Sequence, residues 1–227
     1  MSKLHEFTSR QALDQALASH IAQLLSADIN RRGTASLAVS GGSTPVGMFA
    51  RLAQEPLDWN RGYITLVDER WVDIGSDDSN ERLVRQNLLQ GPAASAHFVS
   101  MKTQHEDADE ALAELNARLD NIPLPFSCVV LGMGNDGHTA SWFPQAGDLE
   151  ALLDPESEQR LGTCQPVTAP HQRITLTVRV VLAAGKIILH ITGQGKRAVL
   201  AEAAQKHYPI AAITTQDENP ASIWWSP

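Results

Sequence analysis

The amino-acid sequence predicts an α/β protein with a doubly wound, largely parallel, Rossmann-like sheet and helices on both of its faces. Short apolar, β-branched runs alternate with amphipathic stretches along almost the whole chain, as in successive βαβ units. Several of these runs contain no polar residue, which is typical of strands buried on both faces of a parallel sheet. The chain has 227 residues, and we expect a single domain spanning residues 1–227.

Hydrophobic periodicity and capping residues define the expected elements of the first half of the chain. They are a helix over 9–27 capped by Ser9, a turn over 30–33, a strand over 35–39, a helix over 46–53, a strand over 63–67, a helix over 79–89 capped by Ser79, a weak strand over 97–99 and a helix over 106–119.

The second half continues the alternation less regularly. The expected elements are a strand over 128–131, a polar segment of undefined structure over 147–161, an alternating run over 174–177, a strand over 186–191, a helix through residue 204 and a short tail over 210–227. Asp136 is expected to cap a short helix that Pro144 ends. That helix would place His138 near its positive end, which disfavours an imidazolium ion.

Composition excludes several classes of function. A formal net charge of −8 argues against non-specific nucleic-acid binding, yet a few basic groups in one cleft still suffice to hold a phosphate. No apolar stretch reaches the length of a membrane span, and the first residues lack the apolar core of a secretory signal. The chain has two cysteines, and Cys128 lies in an expected core strand, so we expect free thiols and a cytoplasmic location.

No cofactor or metal is expected from the residue pattern. The eight histidines are scattered, and no cysteine cluster is present. The Gly-x-Gly at 132–134 does not continue into the dinucleotide-binding fingerprint. The expected ligand is instead a small phosphorylated molecule held by loops.

Four expected strands end in polar or glycine-rich loops, at residues 40–45, 68–71, 132–138 and 192–196. The carboxyl ends of parallel strands share one edge of a sheet, so we expect these loops to converge on one site.

Residues 40–45, here termed the anion loop, are suited to phosphate. Gly41, Gly42, Ser43 and Thr44 offer backbone amides, hydroxyl groups and the start of a helix. The loop lacks the ending of a Walker-type motif, and an ordinary strand-to-helix turn is an equally good interpretation.

Two cations are candidates to complete that phosphate site. Lys196 begins a helix, where a cation opposes the helix dipole unless an anion compensates it. Arg173 is a weaker candidate, and Asn80, Arg82 and Arg85 are weaker still because polar groups on a helix face are usually solvated.

Residues 132–138, here termed the histidine loop, contain the candidate general base. His138 lies among glycines and close to Asp136, and a neutral imidazole can accept a proton from water. The alternative is a structural histidine. Asp68 and Arg70 follow another expected strand, where a carboxylate can orient a base and a guanidinium can bind an anion. The alternative for the triplet of residues 68–70 is a solvated loop with a local ion pair, and Glu69 fits that alternative best.

Six motifs taken together resemble the glucosamine-6-phosphate isomerase/6-phosphogluconolactonase family. They are residues 40–45, 68–72, 79–82 with 88–89, 131–144, 173–177 and 192–196, and the likeness extends over about residues 35–204. Trp142 stands where the family usually has leucine, and Gln145 where glycine often follows Pro144.

The resemblance implies a sugar-phosphate enzyme without cofactor. His138 would activate water, with Asp136 or Asp68 orienting it. Arg70 or amides of the histidine loop would stabilise the oxyanion. Ser43, Thr44 and Lys196, with Arg173 as a further candidate, would bind the phosphate.

The resemblance also separates two branches of the family. The deaminase branch typically has Asp-Glu-Tyr at the position of residues 68–70 and a further acidic residue soon after the histidine. Residues 139–144 contain no carboxylate. This favours hydrolysis of 6-phospho-D-glucono-1,5-lactone, in the oxidative pentose phosphate pathway. A deaminase/isomerase and a non-catalytic sugar-phosphate sensor remain as alternatives, and the oligomeric state stays undefined.

Overall fold

A computed structural model describes residues 2–227, and its centre is a seven-stranded sheet in which every strand pairing is parallel. In chain order the strands of the described residues are β1 (Lys3–Glu6), β2 (Ala35–Val39), β3 (Gly62–Leu66), β4 (Asp68–Arg70), β5 (His97–Phe98), β6 (Cys128–Leu131), β7 (Leu161–Cys164), β8 (Arg173–Leu176), β9 (Ile187–Thr192) and β10 (Ser222–Ser226).

Helices accompany these strands in the order expected of an α/β fold. In chain order they are α1 (Arg10–Arg32), α2 (Val46–Leu52), α3 (Asn80–Asn87), α4 (Ala108–Leu119), α5 (Leu149–Leu152), α6 (Val178–Leu182), α7 (Gln194–Glu202) and α8 (Ala211–Thr214). Trp59–Arg61 and Gly91–Ser95 form short 3₁₀ turns. The predicted fold class is therefore confirmed.

The strand order places the functional cleft. The large sheet runs β1-β10-β9-β6-β2-β3-β5. From β2 the chain proceeds outward through β3 to β5, then returns to β6 on the other side of β2. A crevice opens where the strand order reverses, outside the carboxyl ends of the two central strands, and ligands of open α/β sheets bind there. The anion loop follows β2 and the histidine loop follows β6, so the two loops flank this crevice.

The core explains why the central strands read as continuous apolar runs. Every residue of β2 and of β6 is buried, because other elements cover both faces of the sheet. The helix α1 contributes Leu13, Leu17 and Ile21, each fully buried. The side chain of Ser9 accepts a hydrogen bond from the backbone N–H of Ala12, as predicted for the N-cap of this helix.

A second, three-stranded antiparallel sheet of order β4-β8-β7 corrects the expectation for two segments. Residues 68–70 were expected as a loop but form β4. The segment 147–161, for which the sequence predicts no element, contains the helix α5 and the first residue of β7. Neither strand carries a long alternating pattern, and each is defined by pairing with β8. The pairing sets Asp68 opposite Thr175 and Arg70 opposite Arg173.

The end of one helix and two strands of the large sheet also differ from the prediction. The helix α1 continues through the predicted turn over 30–33 and ends at Gly33, whose φ of 82° suits glycine at a helix C-terminus. The edge strand β1 was not predicted, because its four residues are mostly exposed and polar. Five residues of the predicted tail form β10, which lies between β1 and β9 in the sheet.

The helix expected between Asp136 and Pro144 is absent from this described segment. Asp136 Oδ1 instead accepts a hydrogen bond from the backbone N–H of His138 at 3.2 Å, which forms a local turn. The argument that a helix dipole acts on His138 was therefore wrong.

Cys128 and Cys164 are both free and buried, as expected of structural thiols. Burial raises the pKa of Cys128 to about 12 and that of Cys164 to about 11. Both thiols therefore stay protonated at neutral pH and are poor nucleophiles. Among residues 2–227, no helix combines the length and the apolarity that crossing a bilayer requires.

Candidate active site

The expected convergence of loops is present as one cleft of about 260 Å³ at the carboxyl edge of the large sheet. Nine of the ten residues predicted for the site line it, namely Gly41, Gly42, Ser43, Thr44, Asp68, Arg70, His138, Arg173 and Lys196. The tenth, Asp136, does not line the cleft but contacts the side chain of His138.

The anion loop presents unused donors. The backbone N–H groups of residues 41–44 have no hydrogen-bond acceptor among the described residues. Gly42 has a φ of 84°, which strains any residue with a Cβ. A Cβ at Gly41 would lie 1.8 Å from Asn80 Oδ1, so glycine is needed there for close packing. Consecutive free amides around a concave loop form a site for an anion such as phosphate.

His138 and Asp136 form a close pair. His138 Nδ1 lies 2.6 Å from Asp136 Oδ1. Burial alone would raise the pKa of Asp136, but the hydrogen bond and charge of His138 outweigh it, and the pKa lies below its usual value. An ionised carboxylate can only accept, so Nδ1 carries the proton. Nε2 then holds the lone pair, and it has no hydrogen-bond partner among the described residues.

The histidine loop is tightly folded around this pair. The Gly134 N–H donates to the carbonyl of His138 at 2.9 Å, and Gly137 adopts a φ of 78°. A Cβ at Gly134 would lie 2.2 Å from His138 Nδ1 and 2.5 Å from Asp136 Oδ1. The absence of a side chain at Gly134 therefore makes room for the histidine–carboxylate pair.

The imidazole is also held from its face. The ring of His138 stacks on that of Phe143, with 4.1 Å between the centroids and 24° between the planes. The guanidinium carbon of Arg173 lies 5.4 Å from the centroid of the same phenyl ring. Stacking on one side and the Asp136 hydrogen bond on another together limit rotation of the imidazole.

Asp68 lies in the cleft with partners other than His138. Its Oδ2 accepts a hydrogen bond from the Ser141 hydroxyl at 2.6 Å. Its carbonyl accepts one from Asn80 Nδ2 at 2.8 Å. Of the two carboxylates considered for orienting the imidazole, Asp136 is the one in hydrogen-bond contact with it.

Arg70 and Arg173 face each other across the antiparallel pair β4–β8. Like charges directly opposite on a sheet repel each other. The Nε atom of each is buried without a partner among the described residues. Burial lowers the pKa of Arg173, and Asp68 partly offsets this while Arg70 adds to it. An anion between the two guanidinium groups would offset their repulsion.

Lys196 also lines the cleft. It makes no hydrogen bond or ion pair with a described residue, and burial lowers its pKa. The pKa of His190 is lowered to about 3 by burial and then by the charges of Arg10 and Lys196. Lys196 and Arg10 therefore act on one buried histidine, and Arg10 donates to the anion loop.

The alternative interpretation of residues 68–70 was a solvated loop, and for Glu69 this interpretation is wrong. The side chain is buried, with 1% exposed. Its carboxylate accepts hydrogen bonds from the backbone N–H groups of Arg70, Asn80 and Glu81 and from the Ser79 hydroxyl. Burial raises its pKa, although these hydrogen bonds oppose the shift. Glu69 thus joins β4 to the start of α3, the two elements that carry Arg70 and Asn80.

Sequence reasoning named only part of the site residue by residue. The cleft is also lined by Ser40, Gly132, Met133 and Gly134, which belong to the predicted loops, and by Asn80, Thr139 and Ala140, which lie outside them. Asn80 was set aside as a helix-face residue, yet it is buried and directly follows the N-cap Ser79. Its position at the first turn of a capped helix was a usable signal, because such turns often face ligands.

Free loop amides, cations without ion pairs and an oriented histidine meet where the strand order reverses, an arrangement suited to an enzyme of phosphorylated small molecules. Residues 8–224 match the family described as glucosamine-6-phosphate isomerases/6-phosphogluconolactonase. The chain belongs to this family.

Individual relatives are similar to this chain in sequence and in structure over its full length. A 6-phosphogluconolactonase of Rhizobium meliloti (strain 1021) is 43% identical over 230 residues, covering 100% of this chain and 99% of the relative. The crystal structure of a 6-phosphogluconolactonase from Shewanella baltica OS155 superposes with a TM-score of 0.97 at 42% identity, covering 100% of this chain and 98% of that one.

The fold alone does not separate the two branches of the family. A monomeric glucosamine-6-phosphate deaminase superposes with a TM-score of 0.77 at 17% identity, covering 99% of this chain and 97% of that one. Side chains of the cleft must therefore decide between the two reactions.

Proposed function

We propose that this chain hydrolyses 6-phospho-D-glucono-1,5-lactone to 6-phosphogluconate, in the oxidative pentose phosphate pathway. Full-length relatives of that activity support the proposal, and so does the site. The observation that carries it is the His138–Asp136 pair, whose free Nε2 lines the same cleft as the donors of the anion loop. A base and a phosphate site in one cleft suit hydrolysis of a phosphorylated ester.

His138 acts as the general base. Its Nε2 removes a proton from a water molecule while the water oxygen attacks the lactone carbonyl carbon. Asp136 holds the Nδ1 proton and stabilises the imidazolium that forms. Collapse of the tetrahedral intermediate breaks the bond to the ring oxygen, and the imidazolium returns its proton to that oxygen. General-base catalysis contributes roughly 10²–10⁴ in rate.

The tetrahedral oxyanion needs a donor close to the reacting carbon. Arg70 supplies one: it lines the cleft, and its Nε has no partner among the described residues. In the histidine loop, the Gly134 and Gly137 amides already donate to loop carbonyls, so these two are not available as oxyanion donors. Arg70 is the donor that we propose. The Asp68 side chain, which accepts a hydrogen bond from Ser141, acts on Arg173 and raises the pKa of its guanidinium against the effect of burial.

The phosphate binds to the anion loop and Lys196. The amides of Gly41, Gly42, Ser43 and Thr44 surround it, and Lys196 adds a half-buried charge. Arg173 completes the set of cations. Binding of the phosphate, remote from the carbonyl, positions the lactone for attack by water.

Replacing Lys196 with alanine is expected to raise KM for the phosphorylated lactone about 10- to 100-fold, because a hydrogen bond to a charged group contributes about 1.5–3 kcal/mol. The kcat should change little, since phosphate is bound equally in the ground state and the transition state. Initial rates on phosphorylated and unphosphorylated lactone measure this. Lys206→Ala is the control, because Lys206 pairs with Glu202 at the surface. Equal losses on both lactones would refute the phosphate assignment.

The direct test of function compares two substrates. Freshly generated 6-phosphogluconolactone should be hydrolysed well above its spontaneous rate, which is measured without enzyme and subtracted. Glucosamine 6-phosphate should release no ammonia, because residues 139–144 supply no carboxylate for proton transfer during ring opening. Ammonia release would reverse the assignment, and product binding without turnover would favour a sensor.

We place the enzyme in the cytoplasm, which its two unpaired cysteines support.

A further inference from the structure

Arg10, the first residue of α1, lies outside the cleft but is bonded to the anion loop from behind. Its Nη2 donates hydrogen bonds to the carbonyl of Ser43 at 2.5 Å and to that of Thr44 at 3.0 Å. These residues are 33 and 34 positions away in the chain. One guanidinium nitrogen therefore holds two successive carbonyl groups on the outer side of the loop.

The direction of these carbonyls fixes the direction of an amide. In a trans peptide unit the C=O and N–H bonds point in opposite directions. The Ser43 carbonyl and the Thr44 N–H belong to one such unit. Because the carbonyl points to Arg10, the Thr44 N–H points away from Arg10, and Thr44 lines the cleft. That N–H has no acceptor among the described residues.

Arg10 is itself supported by Asp14, one turn further along α1. Asp14 Oδ2 lies 4.0 Å from Arg10 Nε. Asp14 is 4% exposed and packs against the first turn of α2, where a Cβ at Gly47 would lie 2.1 Å from its Oδ2. The start of α1 thus contacts both the loop and the helix that follows it.

We propose that Arg10 is a positioning residue for phosphate binding: it holds the outer carbonyls of the anion loop so that the Thr44 amide points into the cleft before the ligand arrives. This inference rests on the proposed phosphate role of the loop. Arg10 acts through the loop and does not touch the substrate. Arginine suits the role because its planar fork keeps a fixed geometry while Nε remains beside Asp14.

The test compares three variants. Arg10→Gln removes the charge and the planar fork, Arg10→Lys keeps the charge and a donor nitrogen without the fork, and Arg51→Gln is the control. Arg51 also acts on Asp14 by its charge but donates to Gln15 rather than to the loop. Two readouts are used, namely KM and kcat on phosphorylated and unphosphorylated gluconolactone, and calorimetric Kd for inorganic phosphate.

Arg10→Gln is expected to raise KM for the phosphorylated lactone and the Kd for phosphate about 10-fold, which corresponds to about 1.4 kcal/mol. Turnover of the unphosphorylated lactone should stay within about two-fold, and Arg10→Lys should recover only part of the loss. Arg51→Gln should leave all values within about two-fold.

Two results would overturn the proposal. Equal losses in Arg10→Gln and Arg51→Gln would reduce the effect to general charge. Unchanged phosphate affinity in Arg10→Gln, or in Arg10→Ala if the former fails to fold, would remove the role altogether. The phosphate titration does not require turnover, so it distinguishes this outcome from a wild-type protein that hydrolyses no lactone.

Discussion

Replacing His138 with alanine is expected to lower kcat roughly 10²–10⁴-fold, with a much smaller change in KM. The variant loses the lone pair of Nε2 that accepts a proton from water, while the anion loop and Lys196 still bind the phosphate. Initial rates on freshly generated lactone measure the effect, and the spontaneous rate sets the lowest detectable activity.

His97→Ala is the matched control for this variant. His97 Nε2 lies 2.9 Å from the carbonyl of Asn60, which precedes β3 and therefore lies at the amino edge of the sheet, opposite the cleft. This control should retain wild-type turnover. If His138→Ala also retains it, another group activates the water and the general-base role is lost.

Replacing Gly134 with alanine is expected to reduce kcat by about 10²-fold or more, although alanine is the smallest possible change. The added Cβ would lie 2.2 Å from His138 Nδ1 and 2.3 Å from Cε1, far inside van der Waals contact. Either the imidazole or the loop must move, and a displacement of about 1 Å in a catalytic group can cost about 10²-fold. Steady-state kinetics and a thermal unfolding midpoint together separate misalignment from unfolding.

Gly147→Ala provides the comparison for this second variant. Nothing lies within 4 Å of a Cβ at Gly147, which also belongs to an irregular segment after the histidine. It should keep full activity. Normal kinetics in Gly134→Ala would mean that the close packing around the His138–Asp136 pair is not needed for catalysis.

Five strands of the large sheet, β2, β3, β5, β6 and β9, and most of the candidate site could be predicted from the sequence because both depend on local patterns. Continuous apolar runs such as 128–131 identify strands buried on both faces. Parallel strands then bring the loops that follow them to one edge, whatever their separation in the chain. This reasoning placed Ser43, His138 and Lys196 in one cleft without any knowledge of contacts.

The smaller sheet could not be predicted in the same way. The strand β4 consists of three charged residues, and the side chains of Asp68 and Glu69 have partners distant in sequence. Glu69 shows the difficulty: it pairs with α3 amides 11 and 12 positions away, and nothing local marks it as buried. Strand identity here follows from pairing with β8, which is a tertiary effect.

The predicted helix in the histidine loop failed for a related reason. Asp136 fits the N-cap pattern, but its side chain bonds to both the backbone N–H and the ring of His138. Short polar side chains offer the backbone such alternatives to a helix. Phe143 was likewise invisible as a stacking partner, because its position depends on how residues 139–142 turn.

The position of Arg70 beside the reacting carbon bears on what happens after the chemistry. The lactone is neutral at its carbonyl, whereas the opened acid carries a carboxylate there in addition to the phosphate. On the proposed placement Arg173 binds the phosphate, and Arg70, whose buried Nε is unsatisfied, attracts the new charge. Turnover therefore converts a weaker ligand of Arg70 into a stronger one. The product then competes with fresh lactone for the cleft, so steady flux depends on a later step that keeps the free acid scarce.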